Sequence, residues 1–200
     1  MNSRCFFAML AFVSFLLTTG CGGNTPRNDV DPPIPVAEAL ADKAVSANDG
    51  RERSIAGMSF RLPEKWTEIE LTKEQQGFVD ARFQIPTSAE PLTLTVTSVG
   101  GGIEANIDRW LGQVELEPGD SPKIEDFEVN GLTCKWVDLR GTFQSGMSGG
   151  NTSPQKNWRM IGIAIPHTPR EVYLKVTGPR AAIAEVEEQI REFATSAKAE

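Results

Sequence analysis

Between residues 54 and 197 the apolar positions follow two periods, and the switches between them mark the elements. A first strand is expected over residues 57–62, ended by Pro63. Val79, Ala81, Phe83 and Ile85 alternate with polar residues, and Leu92, Leu94 and Val96 alternate with Thr93, Thr95 and Thr97. A period of two puts each apolar set on one face of a strand, and the β-branched residues of the second set suit a pleated surface. The period then lengthens. Ile103, Ile107, Trp110, Leu111 and Val114 form one stripe of a helix expected over 103–115. Residues 124–129 and 132–143 read as strands joined by Asn130-Gly131, the dipeptide that supplies the two positive φ angles of a type I′ turn. Residues 158–165 and 171–177 make a second hairpin across Pro166-His167-Thr168-Pro169. Gly178-Pro179 opens a closing helix, because proline is tolerated in a first turn, and Ile183, Val186, Ile190 and Phe193 give its inner stripe. Strands joined by short turns and interrupted by two helices predict an α+β fold, a mostly antiparallel sheet covered by helices.

Residues before 54 carry a different pattern. The run from Cys5 to Leu17 is apolar except for Ser14 and follows Arg4. It falls short of the roughly 20 apolar residues that span a bilayer and has the length of a signal-peptide core. Thr18-Thr19-Gly20-Cys21 resembles a lipobox. That resemblance implies that residues 1–20 are removed and that the Cys21 thiol carries diacylglycerol. Thr18 stands where the motif usually has leucine, and Leu17 sits one place early. Plain cleavage and secretion is the alternative. Residues 21–53 are then a lipidated cysteine and a tether broken by Gly22, Gly23, Pro26, Pro32, Pro33 and Pro35. A flexible chain of that length has an end-to-end distance of about 30 Å. The expected organisation is signal peptide 1–20, anchor and tether 21–53, and one globular domain 54–197.

Met58-Ser59-Phe60-Arg61-Leu62-Pro63-Glu64-Lys65-Trp66 resembles the F-x-L-P-x-x-W opening of PsbP-like α/β sandwich domains. Gly100-Gly101-Gly102 followed by Asn106-Ile107-Asp108-Arg109-Trp110 is similar to small uncharacterised lipoproteins of planctomycete-type bacteria. Together these resemblances cover about residues 54–196 and imply the sandwich fold. PsbP-like proteins assist assembly of photosynthetic membrane complexes, and a related fold binds a small GTPase. No binding motif here matches either residue by residue.

Charge and chemistry narrow the function classes. The net charge is −7 at pH 7, and losing residues 1–20 makes it one unit more negative. With no basic stripe, a nucleic-acid partner is not expected, nor is a basic patch for anionic headgroups. The one histidine, His167, cannot build a His-rich metal site and is expected to be a solvated turn residue. Ser145, Ser148 and Ser153 do not stand on a G-x-S-x-G elbow. Cys134 is in phase with Leu132 and Trp136, so it is expected to be a small buried hydrophobe. The triple glycine is neither G-x-G-x-x-G nor a P-loop and is expected to form a tight turn. Glu115, Glu117, Asp120, Glu125, Asp126 and Glu128 suit a solvated edge that resists sheet-to-sheet pairing. No catalytic set, metal-ligand set or cofactor motif emerges. Of Trp66, Trp110, Trp136 and Trp158, the last opens a strand beside the loop 144–157, and it is the candidate ligand contact. The expected function is a membrane-anchored envelope module that binds or assists a partner. The alternatives are a small envelope enzyme such as a hydrolase, or a purely structural lipoprotein.

Lipidation has a direct test. Cys21→Ser is expected to abolish both processing before residue 21 and acylation. Mass spectrometry of the mature N-terminus checks it, and an unmodified terminus at another position would remove the anchor.

Overall fold

The computed structural model describes residues 51–144 and 153–200. A small sheet begins with the hairpin β1 (Glu52–Ile55) and β2 (Met58–Arg61). Ala56 and Gly57 turn it with φ of 55° and 78°. The main sheet contains β3 (Thr67–Glu68), β4 (Ala81–Ile85), β5 (Leu92–Val99), β6 (Val114–Leu116), β7 (Lys123–Val129), β8 (Leu132–Phe143), β9 (Gln155–Ile165) and β10 (Glu171–Pro179). Helix α1 (Ile103–Leu111) separates β5 from β6, and helix α2 (Arg180–Thr195) follows β10. The last strand, β11 (Lys198–Ala199), returns to pair with β2.

The strand order in the main sheet is β3-β4-β5-β10-β9-β8-β6, with β7 also paired to β8. Its pairings are antiparallel. This is the expected α+β architecture, a large antiparallel sheet covered by two helices. Both expected hairpins form, and Asn130 and Gly131 take φ of 49° and 82° at the first.

Four local expectations need correction. The strand 57–62 is one arm of a hairpin whose other arm, β1, begins at Glu52. Its register puts Ile55 opposite Met58, both buried, but four residues with two charges carry too little pattern to be read alone. Val114 is not on the helix. The chain leaves α1 at Gly112, and Val114 opens β6 opposite Phe143. Its side chain still packs with Ile107 and Trp110, which is why it fell on their stripe. β9 starts at Gln155, three residues before Trp158, which shortens the intervening connection. Pro179 closes β10 and stands just before α2 rather than inside its first turn.

Each face of the sheet has its own core. On one face, Ile183, Val186, Ile190 and Phe193 of α2 pack onto alternating residues of β4, β5, β8, β9 and β10. Phe193 is the hub. Its ring stacks on Phe60 at 5.0 Å and meets Trp66 at 5.2 Å and Phe83 at 5.6 Å, centroid to centroid. On the other face, Ile107 and Trp110 of α1 pack onto Val137, Leu139, Met160, Ala164 and Tyr173. Strand β9 is therefore buried on both sides from Arg159 to Ile165.

The seat of α1 is a glycine. A Cβ placed on Gly162 would lie 2.5 Å from the Trp110 ring, closer than real contacts allow. Tyr173 meets the same ring edge-on at 5.8 Å, and its hydroxyl accepts a hydrogen bond from the Asn106 side-chain amide at 2.7 Å. These contacts pin both turns of a short helix.

Trp110→Ala is expected to cost about 3–5 kcal/mol, as large-to-small core changes do. Gly162→Ala is expected to cost about 1–3 kcal/mol by overpacking. In the double variant the second cost should vanish, because the new methyl enters the space the indole leaves. Urea midpoints at constant m-value measure all three, and strictly additive costs would show that the two residues do not touch.

Candidate functional site

Helix α1 covers only part of its face of the sheet. Toward the Thr177–Pro179 end of β10 the same face lies open as a groove of about 720 Å³, within the usual range of small-molecule sites, about 300–1,000 Å³. Its floor is made by the residues that point away from α2: Arg82 on β4, Thr93 and Thr95 on β5, Lys175 and Thr177 on β10, and Trp158 on β9. Register explains why they meet. Arg82 pairs with Thr95, Thr95 with Lys175, and Lys175 with Gly162, in one row across four strands. Trp158 pairs with Pro179 farther along.

Trp158, the candidate from sequence, therefore does line a concave surface. It is half-buried, and its ring stacks on Phe143 with centroids 5.9 Å apart and planes 19° from parallel. Phe143 fixes one side of the indole. Trp66, Trp110 and Trp136 belong to the two cores. Trp66 donates its indole N–H to Gln189 at 3.0 Å, and the Arg191 guanidinium lies 4.0 Å above the Trp136 ring.

The two cations of the groove were not singled out from sequence. The Lys175 ammonium is half-buried and reaches Gln113 Oε1 at 3.4 Å, a long contact, with no ion pair among the described residues. Burial first, and then the neighbouring Arg109, hold its pKa below the usual amine range. The Arg82 guanidinium has no hydrogen bond or ion pair among the described residues. The available signal was phase: both are long cations on the threonine-bearing face, flanked on their own strands by core residues. Glu90 and Glu185 stand on the opposite rim, and Glu185 is tied to Ser88 by its backbone N–H and its hydroxyl, each at 2.8 Å.

The remaining expectations resolve as follows. Cys134 is fully buried, and burial followed by Glu128 pushes its thiol up to about 11. Lys135 points the other way and pairs with Asp126 at 2.7 Å. The acidic edge is largely partnered: Asp120 pairs with Arg180 at 2.6 Å, Glu125 with Lys123 at 2.8 Å, and Glu128 accepts from Thr133 at 2.7 Å. His167 departs from the solvated turn residue expected. It is half-buried over the β1–β2 turn, where a Cβ on Gly57 would sit 2.9 Å from its Nε2. Gly101 and Gly102 turn the chain into α1 with φ of 107° and 89°. Ser153 is exposed. Cys21, Ser145 and Ser148 lie outside the described residues. Among the described residues, no three His, Cys, Asp or Glu side chains gather closely enough to hold a metal ion.

A separate polar cluster crosses the α2 side. Asp138 accepts hydrogen bonds from Arg159 Nε at 2.7 Å, Arg159 Nη2 at 2.9 Å and Arg140 Nη2 at 2.8 Å. Arg159 Nη1 donates to Glu187 of α2 at 2.7 Å. Asp138 and Arg159 are 3% and 4% exposed, so each charge depends on the other. The cluster clamps α2 to β8 and β9.

The chain is similar in structure to cyanobacterial PsbP (CyanoP) from Synechocystis, with 12% identity and a TM-score of 0.48, over 74% of this chain and 91% of that one. It is also similar to a protein of unknown function from Pseudomonas aeruginosa, with 12% identity and a TM-score of 0.43, over 72% of this chain and 93% of that one. No family model and no curated protein matches the sequence. The α+β assignment stands on the strand order of this chain itself.

Asp138 generates a pH prediction. Burial alone would raise its pKa, but the hydrogen bonds from Arg159 and Arg140 outweigh burial and hold it below the ordinary carboxylate range. A carboxylate with a depressed folded-state pKa stabilises the fold above its unfolded value, about 3.9, and loses that stabilisation as pH falls through the folded value. Asp138→Asn is expected to cost about 3 kcal/mol at pH 7 by leaving Arg159 partly unpaired. The gap between wild-type and variant urea midpoints should narrow steadily below about pH 4. A gap that stays constant down to pH 2 would contradict this.

Proposed function

We propose that this chain is a binding module of the bacterial cell envelope, of the planctomycete-type lipoprotein kind, held at a membrane by lipid on Cys21 and receiving its ligand in the groove beside Trp158. The groove is the observation that carries the binding half. It is concave, it is floored by strands rather than loops, and it combines an aromatic wall with a few polar groups, the usual composition of a ligand site. The run from Cys5 to Cys21 and the proline-rich segment after it support the anchoring half. Two or more acyl chains give stable residence where one gives only reversible binding. A tether of about 30 Å reach would let the groove meet its ligand clear of the headgroups.

Ligand-observed NMR on the full chain tests the binding half with a library of neutral and charged aromatic fragments. Fragments that bind are expected to lose most of their saturation-transfer signal in Trp158→Ala. Binders indifferent to Trp158 would place the site elsewhere and end this assignment. Membrane attachment is checked independently by the N-terminal mass.

A further inference from the structure

We propose that the groove selects a small amphiphilic carboxylate, its anionic head held between Lys175 and Arg82 and its flat apolar body lying across the threonine floor against Trp158. It rests on the binding-module reading and adds the ligand class.

Charge is the first support. The chain is acidic overall, with 27 Asp and Glu against 20 Lys and Arg. Of the other cations on the strands of the main sheet, Lys123, Lys135, Arg140 and Arg159 have found carboxylates, and the exposed Lys156 has none among the described residues. Among the described residues Lys175 and Arg82 have not, although carboxylates outnumber cations in the chain. A half-buried ammonium without a counter-ion is costly, and its lowered pKa reports that cost. An anion arriving from solution would relieve it.

Spacing is the second. Arg82 and Lys175 lie two strands apart in one row, with only Thr95 between them. Their Cα atoms are thus about 10 Å apart, and two long side chains can close on one anion between them. A guanidinium fork and one ammonium match the two oxygens of a carboxylate. A phosphate would bring a second charge toward Glu90 and Glu185 on the rim and a third oxygen with no donor assigned to it.

The apolar end is set by β10. Pro179, the partner of Trp158, lies four positions beyond Lys175, which is about 13 Å along the strand. A fused ring joined directly to a carboxylate fits that length. Phe143 backs Trp158, so the free indole face is presented to the groove and stacks at little entropic cost.

Isothermal titration calorimetry on the purified full chain in lipid nanodiscs, with empty nanodiscs as blank, tests the proposal using 2-naphthoate, 2-naphthamide and 2-naphthyl phosphate. Wild type is expected to bind 2-naphthoate at least tenfold more tightly than the amide and more tightly than the phosphate. In Lys175→Met the preference over the amide should fall to within twofold. Arg82→Gln should reduce it several-fold, and Lys175→Arg should retain most of it. Thermal melts of each variant matching wild type secure the comparison. Trp158→Ala should weaken naphthoate and naphthamide alike. If acid and amide bind equally and both depend on Trp158, charge selection is overturned while the binding module stands. If none of the three probes binds, the ligand class is overturned, and the fragment screen decides the binding module separately. Tighter phosphate binding would overturn the carboxylate assignment. So would sedimentation showing a self-associated dimer that Trp158→Ala dissolves, because a second copy would then fill the groove.

Discussion

Helix α1 can sit on the sheet only because Gly162 has no side chain. The Trp110 ring occupies the space where a Cβ would be, and that contact brings a nine-residue helix down onto a face it is too short to cover. Nine helical residues extend about 13 Å, whereas the nine residues of β10 extend about 30 Å. Beneath the helix the sheet carries Val137, Leu139, Met160, Ala164 and Tyr173. Beyond it the residues of the same face change to Thr93, Thr95 and Thr177, with Arg82, Lys175 and the half-exposed Trp158. Sequence and coverage agree, since side chains turn amphipathic where the helix stops. The groove is a direct consequence of where a tryptophan finds a glycine.

The opposite face follows the other logic. Helix α2 has sixteen residues, about 24 Å, and its stripe is long enough to close the core. Phe193 gathers Phe60, Trp66 and Phe83 near one end, while Arg159 reaches Glu187 at the middle. Hydrophobic burial supplies the larger share of the stabilisation. The Asp138–Arg159 pair contributes less, because its Coulombic gain is offset by desolvation. What it does fix is the position of Arg159, which Asp138 of β8 holds and whose guanidinium donates the directional hydrogen bond to Glu187 of α2. The first turns of α2 also border the groove, through Ala181, Ala182 and Glu185.

The main features of the fold were legible because they rest on patterns longer than their local accidents. Strand β5 alternates over six residues, the inner stripe of α2 repeats over eleven, and Asn130-Gly131 allows little besides its turn. Val114 was misplaced because two different structures satisfy one contact: a residue continuing the helix and a residue on the returning strand can both touch Trp110. Trp158 was legible as a candidate because the pattern placed it at the start of a strand beside a polar connection, although the strand begins three residues earlier. Lys175 and Arg82 were not, since a lone cation on a strand looks like ordinary solvated surface until register puts it beside another. Pairings between β4, β5 and β10 span about ninety residues of chain, and no local window contains them.

The acidity of the chain does not argue against an anion in this groove, because the two act over different distances. At physiological ionic strength a charge is screened over about 8 Å, so carboxylates on the β7 edge contribute little at Lys175. What an arriving carboxylate meets is the local pair of cations in a concave wall of low polarisability, where charge interactions are stronger than on open surface. The distant negative field slows the approach of every anion by a similar factor. The local cations decide which of them stays. Because Arg82, Lys175 and Trp158 are carried by strands of one hydrogen-bonded sheet, their backbone spacing is set before any ligand arrives, and the ordering cost of binding is confined to the Arg82 and Lys175 side chains. Rigid strands beneath a mismatched helix thus convert a packing shortfall into a preorganised site.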